Sequence, residues 1–202
     1  LDERKAAAEP ESFYYKNGTE EFVKQLNKNK EPLHPKPIAF RKETREKLDD
    51  KDIEVHIEVV MQYNDSYNDQ VLCYTNTIHN SDGGAHLSGF RSALTRAINQ
   101  YAKSNELLKE KDPQITGDDV REGLTAVISV KHSDPKFESQ TKVKLLSPEV
   151  ERITGSVTYE GLMSYFDGNP PIAKRIVDKG LNAARAREAA RKAREAVRKS
   201  AL

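Results

Sequence analysis

Tryptophan is absent from the 202-residue sequence, methionine occurs twice and cysteine once. The lone Cys73 excludes an internal disulfide framework; it fits a reducing compartment and suits strand packing. No apolar run approaches the roughly 18 residues that span a bilayer, so no membrane partner is expected. The first ten residues have neither a signal-peptide core nor an initiating methionine, and the chain reads as a cytoplasmic fragment of something longer. A charge of one sign is also missing overall, because 33 Lys+Arg face 32 Asp+Glu for a net +1. That average conceals an asymmetry. Residues 174–202 carry ten basic and three acidic residues, or +7, whereas the remainder carries 23 against 29, or −6. A basic end on an acidic body points to an appendage facing nucleic acid.

What is present supports one ordinary domain plus a solvated extension. The composition is 36% hydrophobic and 32% charged, enough for a modest core. Phe13-Tyr14-Tyr15 before Asn17-Gly18 reads as a strand end and a turn. Thr19 is placed as the cap of a helix carrying Phe22, Val23 and Leu26, which Pro32, Pro35 and Pro37 prevent from continuing into the extended segment beyond. Ile53, Val55, Ile57, Val59, Met61 and Tyr63 alternate with Glu54, His56, Glu58 and Gln62 as in a half-solvated strand. Val71 to Ile78 is a second β-rich run, expected to pair with the first as an antiparallel hairpin across the Asn64–Asp69 turn.

Asp82-Gly83-Gly84 opens a helix whose stripe of Leu87, Phe90, Leu94, Ile98 and Tyr101 must pack on the sheet. Thr116-Gly117-Asp118-Asp119 caps a short helical turn before a Val- and Ile-rich strand from Leu124 to Lys131. Ser147-Pro148-Glu149 starts another helix, although the glycine and β-branched residues from Thr154 to Thr158 weaken its helical signal. Asn169-Pro170-Pro171 breaks the chain before a long Ala/Arg-rich helix to Leu202. On it Arg187, Arg191, Arg194 and Arg198 form a stripe, Glu188–Lys192 and Glu195–Lys199 are spaced as ion pairs, and Ala186, Ala190, Ala193 and Val197 form a thin apolar seam. The fold class is α+β with a long basic C-terminal helix.

Catalytic signals are sparse. His34, His56, His79, His86 and His132 lack metal-ligand spacing and are assigned polar surface or capping roles, and no metal site is expected. Asp118 and Asp119 are assigned to the helix dipole rather than to a cation. Gly83-Gly84 is read as a close backbone approach rather than a phosphate cradle. On composition alone the arginine stripe is as readily a solvated face as a DNA contact, and Lys142 is a solvated loop lysine.

Ordered motifs alter that reading. Tyr74-Thr75-Asn76-Thr77-Ile78, Asp82-Gly83-Gly84-Ala85-His86-Leu87-Ser88-Gly89-Phe90-Arg91 and Ala93-Leu94-Thr95-Arg96 resemble the signature of the gyrase B family of type II DNA topoisomerases. Gly117-Asp118-Asp119-Val120-Arg121-Glu122-Gly123-Leu124, Asp134-Pro135-Lys136-Phe137 and Ser139-Gln140-Thr141-Lys142 follow in the family's order, as does the helix around Ala183–Arg191. The resemblance runs from Phe13 onward, with Ala85 standing where the family commonly has threonine.

The resemblance implies a left-handed β-α-β transducer fold, like a ribosomal-protein domain. In that frame residues 1–16 end a preceding ATPase domain, 17–168 form the transducer, and 169–202 form a helix leading to the cleavage core. It implies that Gln140 and Lys142 contact the ATP γ-phosphate, with Lys142 in the catalytic role, coupling nucleotide state to DNA-gate motion during negative supercoiling. Arg91, Arg96, Arg187, Arg191, Arg194 and Arg198 are the DNA-facing candidates. ATP and Mg2+ would be held mainly by the missing ATPase domain, leaving this fragment without a cofactor and inactive alone. Implied partners are double-stranded DNA, the gyrase A subunit and a second copy of the gyrase B protein in an ATP-dependent homodimer. The alternatives are the equivalent domain of the topoisomerase IV ATPase subunit and a passive DNA-binding or interaction module.

Overall fold

A computed structural model describes residues 18–48 and 50–200. The assignment of residues 1–16 to a preceding domain, and of Phe13-Tyr14-Tyr15 to a strand end, lies outside the described residues. Among these residues five strands form one mixed sheet: β1 (Ile38–Leu48), β2 (Lys51–Tyr63), β3 (Gln70–Thr75), β4 (Ile78–His79) and β5 (Leu124–His132), in the order β1-β2-β5-β3-β4. Among the described residues five helices accompany them: α1 (Thr19–Leu26), α2 (Ala85–Ser104), α3 (Gly117–Arg121), α4 (Pro148–Gly168) and α5 (Pro170–Ser200). No described helix is long and apolar enough to cross a membrane.

The alternation in β2 is realised, with Ile53, Val55, Ile57 and Val59 all buried. Its expected hairpin with the next run does not form. β2 pairs antiparallel with β1 and β5, while β3 pairs parallel with β5 and antiparallel with β4. The reason is burial on two faces. Leu124, Ala126, Ile128 and Val130 of β5 join the main core, and Val127 packs with Val60 and Val23 beneath α1 on the opposite face. A strand apolar on both sides belongs at the centre of a sheet, so β5 separates two strands that are neighbours in sequence. The parallel β3–β5 pair, connected through α2 and α3, is the β-α-β unit.

β1 escapes the hydrophobic pattern because only its first residues, Ile38 and Phe40, are buried. Its charged remainder pairs across the strand, with Arg41 opposite Glu58 at 2.7 Å and Arg45 opposite Glu54 at 3.3 Å. Glu43 lies opposite His56 at 3.1 Å. Charges on an edge strand also discourage pairing with another chain.

Thr19 proves to be the first residue of α1 rather than its cap; Gly18 takes that position and the Thr19 hydroxyl donates to Glu58. α4 is continuous through the stretch with weak helical signal. Those small residues serve packing: a Cβ on Gly89 of α2 would sit 2.2 Å from the Glu151 carbonyl oxygen, and Gly155 lies against Gly89. Gly161 admits the Phe40 ring, which a Cβ would approach to 2.4 Å. Close crossing of α2, α4 and β1 outweighs the low propensity, which costs only about 1 kcal/mol per glycine. The first half of α5 belongs to the same core through Ala173, Ile176, Val177, Leu181 and Ala184, whereas almost everything from Arg185 onward is exposed. The core therefore continues past the Asn169-Pro170-Pro171 break.

Candidate functional site

The Ser139-Gln140-Thr141-Lys142 segment is a turn at the tip of the connection between β5 and α4. Lys142 N–H donates to the Ser139 carbonyl at 3.1 Å, and the Ser139 and Thr141 hydroxyls lie 2.6 Å apart. Gln140, Thr141 and Lys142 are all exposed. Lys142 has φ 57°, a left-handed conformation that a side chain with a Cβ adopts only when its surroundings impose it. Its ammonium lies 5.7 Å from the Phe137 ring centroid.

Those surroundings come from the glycine-rich loop ahead of α2. Asp82 N–H donates to the Val143 carbonyl at 3.0 Å, Leu145 N–H to Gly83 at 3.0 Å, and Ala85 N–H to Leu145 at 2.8 Å. A Cβ on Gly84, at φ 125°, would lie 2.1 Å from the Leu145 oxygen. Gly84 therefore admits the backbone of the 133–147 segment, as the close-approach reading anticipates, whereas a Cβ on Gly83 would meet the Leu87 side chain at 2.5 Å.

Asn80, 2% exposed, completes the attachment by donating from Nδ2 to the Lys142 carbonyl at 2.7 Å. Its Oδ1 accepts from the Thr75 hydroxyl at 2.7 Å and contacts His86 Nε2 at 3.0 Å. Burial pushes the His86 imidazole down to about 4, so it is neutral at pH 7.

The base of the segment is fixed separately. His132 Nε2 lies 2.7 Å from the Glu149 carboxylate and its Nδ1 accepts from Asp134 N–H at 2.9 Å. Asn76 binds both the N–H and the C=O of His132 at 2.9 Å. Histidine placement thus departs from expectation: His34, His86 and His132 are buried and bonded rather than superficial. His34 accepts from Tyr63 N–H and His132 meets Glu149, partners that spacing does not reveal, while His86 contacts Asn80 of the loop just ahead of its own helix. Cys73 is buried, and burial pushes its thiol up to about 12, in keeping with a packing role. Among the described residues no group of three or more His, Cys, Asp or Glu is arranged to hold a metal ion.

The six arginines fall into different settings. Arg91 and Arg96 are exposed on α2 and line one open groove with Thr95, Asn99, Gln114 and Arg121, and Arg96 also stacks 4.3 Å above the Tyr159 ring. On α5 the stripe is not uniform. Arg187 grips the Asp119 carboxylate, with Nε at 3.0 Å and Nη2 at 2.9 Å, and donates to the Gln114 carbonyl at 3.1 Å. Asp119 in turn accepts from the Thr116 N–H and hydroxyl, both at 2.8 Å; the bond from Thr116 N–H is half of a capping box at the expected cap of α3, whose other half runs from Asp119 N–H to the Thr116 side chain.

Burial alone would raise the Asp119 carboxyl, but the Arg187 guanidinium and both Thr116 donors hold it below the usual carboxylate range. Nearby, Arg185 binds Asp112 at 2.6 Å. Arg191 lies between Glu188 at 2.6 Å and Glu195 at 2.7 Å, so Glu195 pairs backward rather than with Lys199. Arg194 and Arg198 have no hydrogen bond or ion pair among the described residues.

The arginine stripe is legible in the residue pattern and the Lys142 segment only through the family resemblance, while Asn80, Asn76 and the His132–Glu149 pair are legible in neither. The Asn80–Lys142 bond spans 62 residues. The only local signal was the turn chemistry of Asn80-Ser81-Asp82, which does not name a partner.

Comparison with known proteins places these features in a family. The DNA gyrase B profile matches residues 18–196. The chain is 43% identical over 203 aligned positions to the DNA gyrase B protein of Bacillus mycoides, covering 100% of this chain and 48% of that protein. It is 48% identical over 188 residues to the DNA gyrase B protein of Mycobacterium leprae, covering 93% of this chain and 26% of that one. The chain thus spans less than half the length of these curated relatives. Among solved structures, the 43K ATPase domain of Thermus thermophilus gyrase B, in complex with an aminocoumarin, superposes with a TM-score of 0.79 at 47% identity, over 89% of this chain and 46% of that one. The topoisomerase IV ATP-binding domain of Francisella tularensis, in complex with a small-molecule inhibitor, gives 0.67 at 25% identity, over 87% of this chain and 44% of that one.

Proposed function

The chain belongs to the DNA gyrase B family, and from that premise we propose that it is the transducer of an ATP-dependent type II DNA topoisomerase, coupling nucleotide state to movement of DNA. The observation that carries this reading is the Ser139–Lys142 turn. It presents an amide and an ammonium to solvent while its backbone is bonded to the loop that begins α2. Exposed charge on an anchored turn suits a contact with a ligand held by another part of the protein.

Lys142 supplies a compact cation and Gln140 an amide donor, both matched to the oxygens of a terminal phosphate. An ammonium cannot ligate a metal ion and one glutamine carbonyl does not make a site, so in this reading Mg2+ and most of the ATP contacts fall to the rest of the gyrase B protein, and this chain alone does not turn over ATP. A charge-assisted bond of this kind contributes about 1.5–3 kcal/mol. It exists only while the γ-phosphate is in place, and such differential binding is what shifts a conformational equilibrium. The shift passes to residues 17–168 as the transducer body and to the segment 169–202, through its helix α5, as the lever toward the cleavage core.

Arg91, Arg96, Arg191, Arg194 and Arg198 then face double-stranded DNA without reading its sequence, whereas Arg187 is already occupied by Asp119. The gyrase A subunit and a second copy of the gyrase B protein complete the enzyme. The higher identity to the gyrase B structure than to the topoisomerase IV domain favours gyrase as the setting.

The test is Lys142→Ala in the full-length protein, reading ATP turnover and dimerisation driven by a non-hydrolysable ATP analogue. Turnover is expected to fall by roughly ten- to a hundredfold, the kinetic equivalent of the missing bond. Wild-type values for both readouts would overturn the sensor and leave a passive binding module.

A further inference from the structure

The hydrogen bonds around Asn80 can be assigned without ambiguity. A backbone carbonyl only accepts, so the atom facing Lys142 O must be the Asn80 amide nitrogen, and Oδ1 must face Thr75 and His86. Both of those neighbours must therefore donate, which fixes His86 as the tautomer protonated at Nε2. Thr75 and His86 are fully buried, one on β3 and the other in the first turn of α2. The Asn80 backbone is fixed too: its N–H donates to Cys73 at 2.8 Å and its carbonyl accepts from Gly83 at 3.0 Å. A single side chain thus joins a core strand, the start of the core-facing helix α2 and the one residue of the turn that adopts a left-handed backbone.

We propose that Asn80 is a positioning residue for nucleotide sensing: its amide holds the Lys142 backbone in the conformation that aims the ammonium, and it ties that conformation to β3 and α2. The inference rests on the phosphate-sensing reading of Lys142. Asn80 touches no phosphate and acts only through Lys142. Its Oδ1 bonds hold the fold and its Nδ2 bond holds the turn, so the two duties can be separated chemically. Asn80→Asp keeps the shape and the acceptor for Thr75 and His86, but it sets a carboxylate oxygen against the Lys142 carbonyl, where no bond can form.

The experiment is a double-mutant cycle between Asn80 and Lys142 in the full-length protein, with ATP kinetics and thermal stability measured for each variant. Asn80→Ala is expected to lower kcat by about tenfold or more, as misplacement of a reacting group does. KM for ATP should change less than about twofold, because ATP is held mainly outside this chain. In a Lys142→Ala background the same substitution should have no further effect on kcat, since no ammonium is left to aim. A merely structural residue would lower activity by the same factor in both backgrounds, and that outcome overturns the proposal, as does a wild-type kcat for Asn80→Ala. If Asn80→Ala does not give folded protein, Asn80→Asp is read by the same cycle and the same outcomes decide. Should Lys142→Ala itself be without effect, the sensing reading fails and this inference with it; a Lys142 effect without an Asn80 effect removes only the inference.

Discussion

The Ser139–Lys142 turn and the distal half of α5 both offer cations to solvent, yet they are attached to the domain in different ways. Backbone bonds to Gly83 and Ala85, a buried asparagine and a glycine with no room for a Cβ hold the turn and its flanks. Beyond Ala184, α5 continues the core-packed half without a break, and among the described residues its bonds to the body are side-chain ones, Arg185–Asp112 and Arg187–Asp119, while the ion pairs of Arg191 are internal to the helix. Short-range backbone attachment leaves the turn few alternative positions. The outer half of α5 instead projects as the continuation of a helix rooted in the core, so its direction follows that of the root. One arrangement suits reading a small ligand, and the other suits transmitting a displacement to a large one.

Removing the backbone attachment should have the largest effect. Gly84→Ala puts a Cβ within 2.1 Å of the Leu145 oxygen at a φ of 125°. It should destabilise the domain by about 3 kcal/mol or more, as overpacking and a disallowed backbone combine. Chemical denaturation measures this, and a loss below about 1 kcal/mol would mean that the segment detaches without cost.

The root of α5 comes next. Asp119→Ala removes both the capping box of α3 and the carboxylate that receives Arg187, and should cost about 1–2 kcal/mol. Amide exchange should accelerate from Arg185 onward while the Ser139–Lys142 turn keeps its protection; equal acceleration in both would erase the contrast. Acid should act in the same direction. The Asp119 carboxyl is held below its ordinary value of 3.8, so its contribution is complete above that pH and disappears as pH falls through the lower folded value. Loosening of α5 should therefore begin only below about pH 4.

The smallest structural effect belongs to Arg191, Arg194 and Arg198. Replacing all three with glutamine should leave the melting temperature unchanged, since none of them touches the core. The salt dependence of DNA binding should nevertheless flatten by about one unit of slope for each phosphate that is no longer neutralised. An unchanged slope would remove this half of the helix from the DNA-facing surface.

Local pattern and tertiary packing divide the determinants of this protein between them. The sequence by itself determined the alternating face of β2, the apolar stripe of α2, the cap of α3 and the basic terminal helix. Each of these is a periodicity or a short-range bond within a few residues. The charged β1, the continuous α4 and the central place of β5 were decided by tertiary structure. β1 is a strand because β2 offers it an edge and opposite charges, α4 stays helical because its glycines let Gly89 and Phe40 approach, and β5 is central because it buries both faces. The setting of Lys142 was decided in the same way. Its charge is a property of one residue, but its left-handed backbone depends on an asparagine 62 residues away, a bond that exists only once the sheet and α2 have brought the two together.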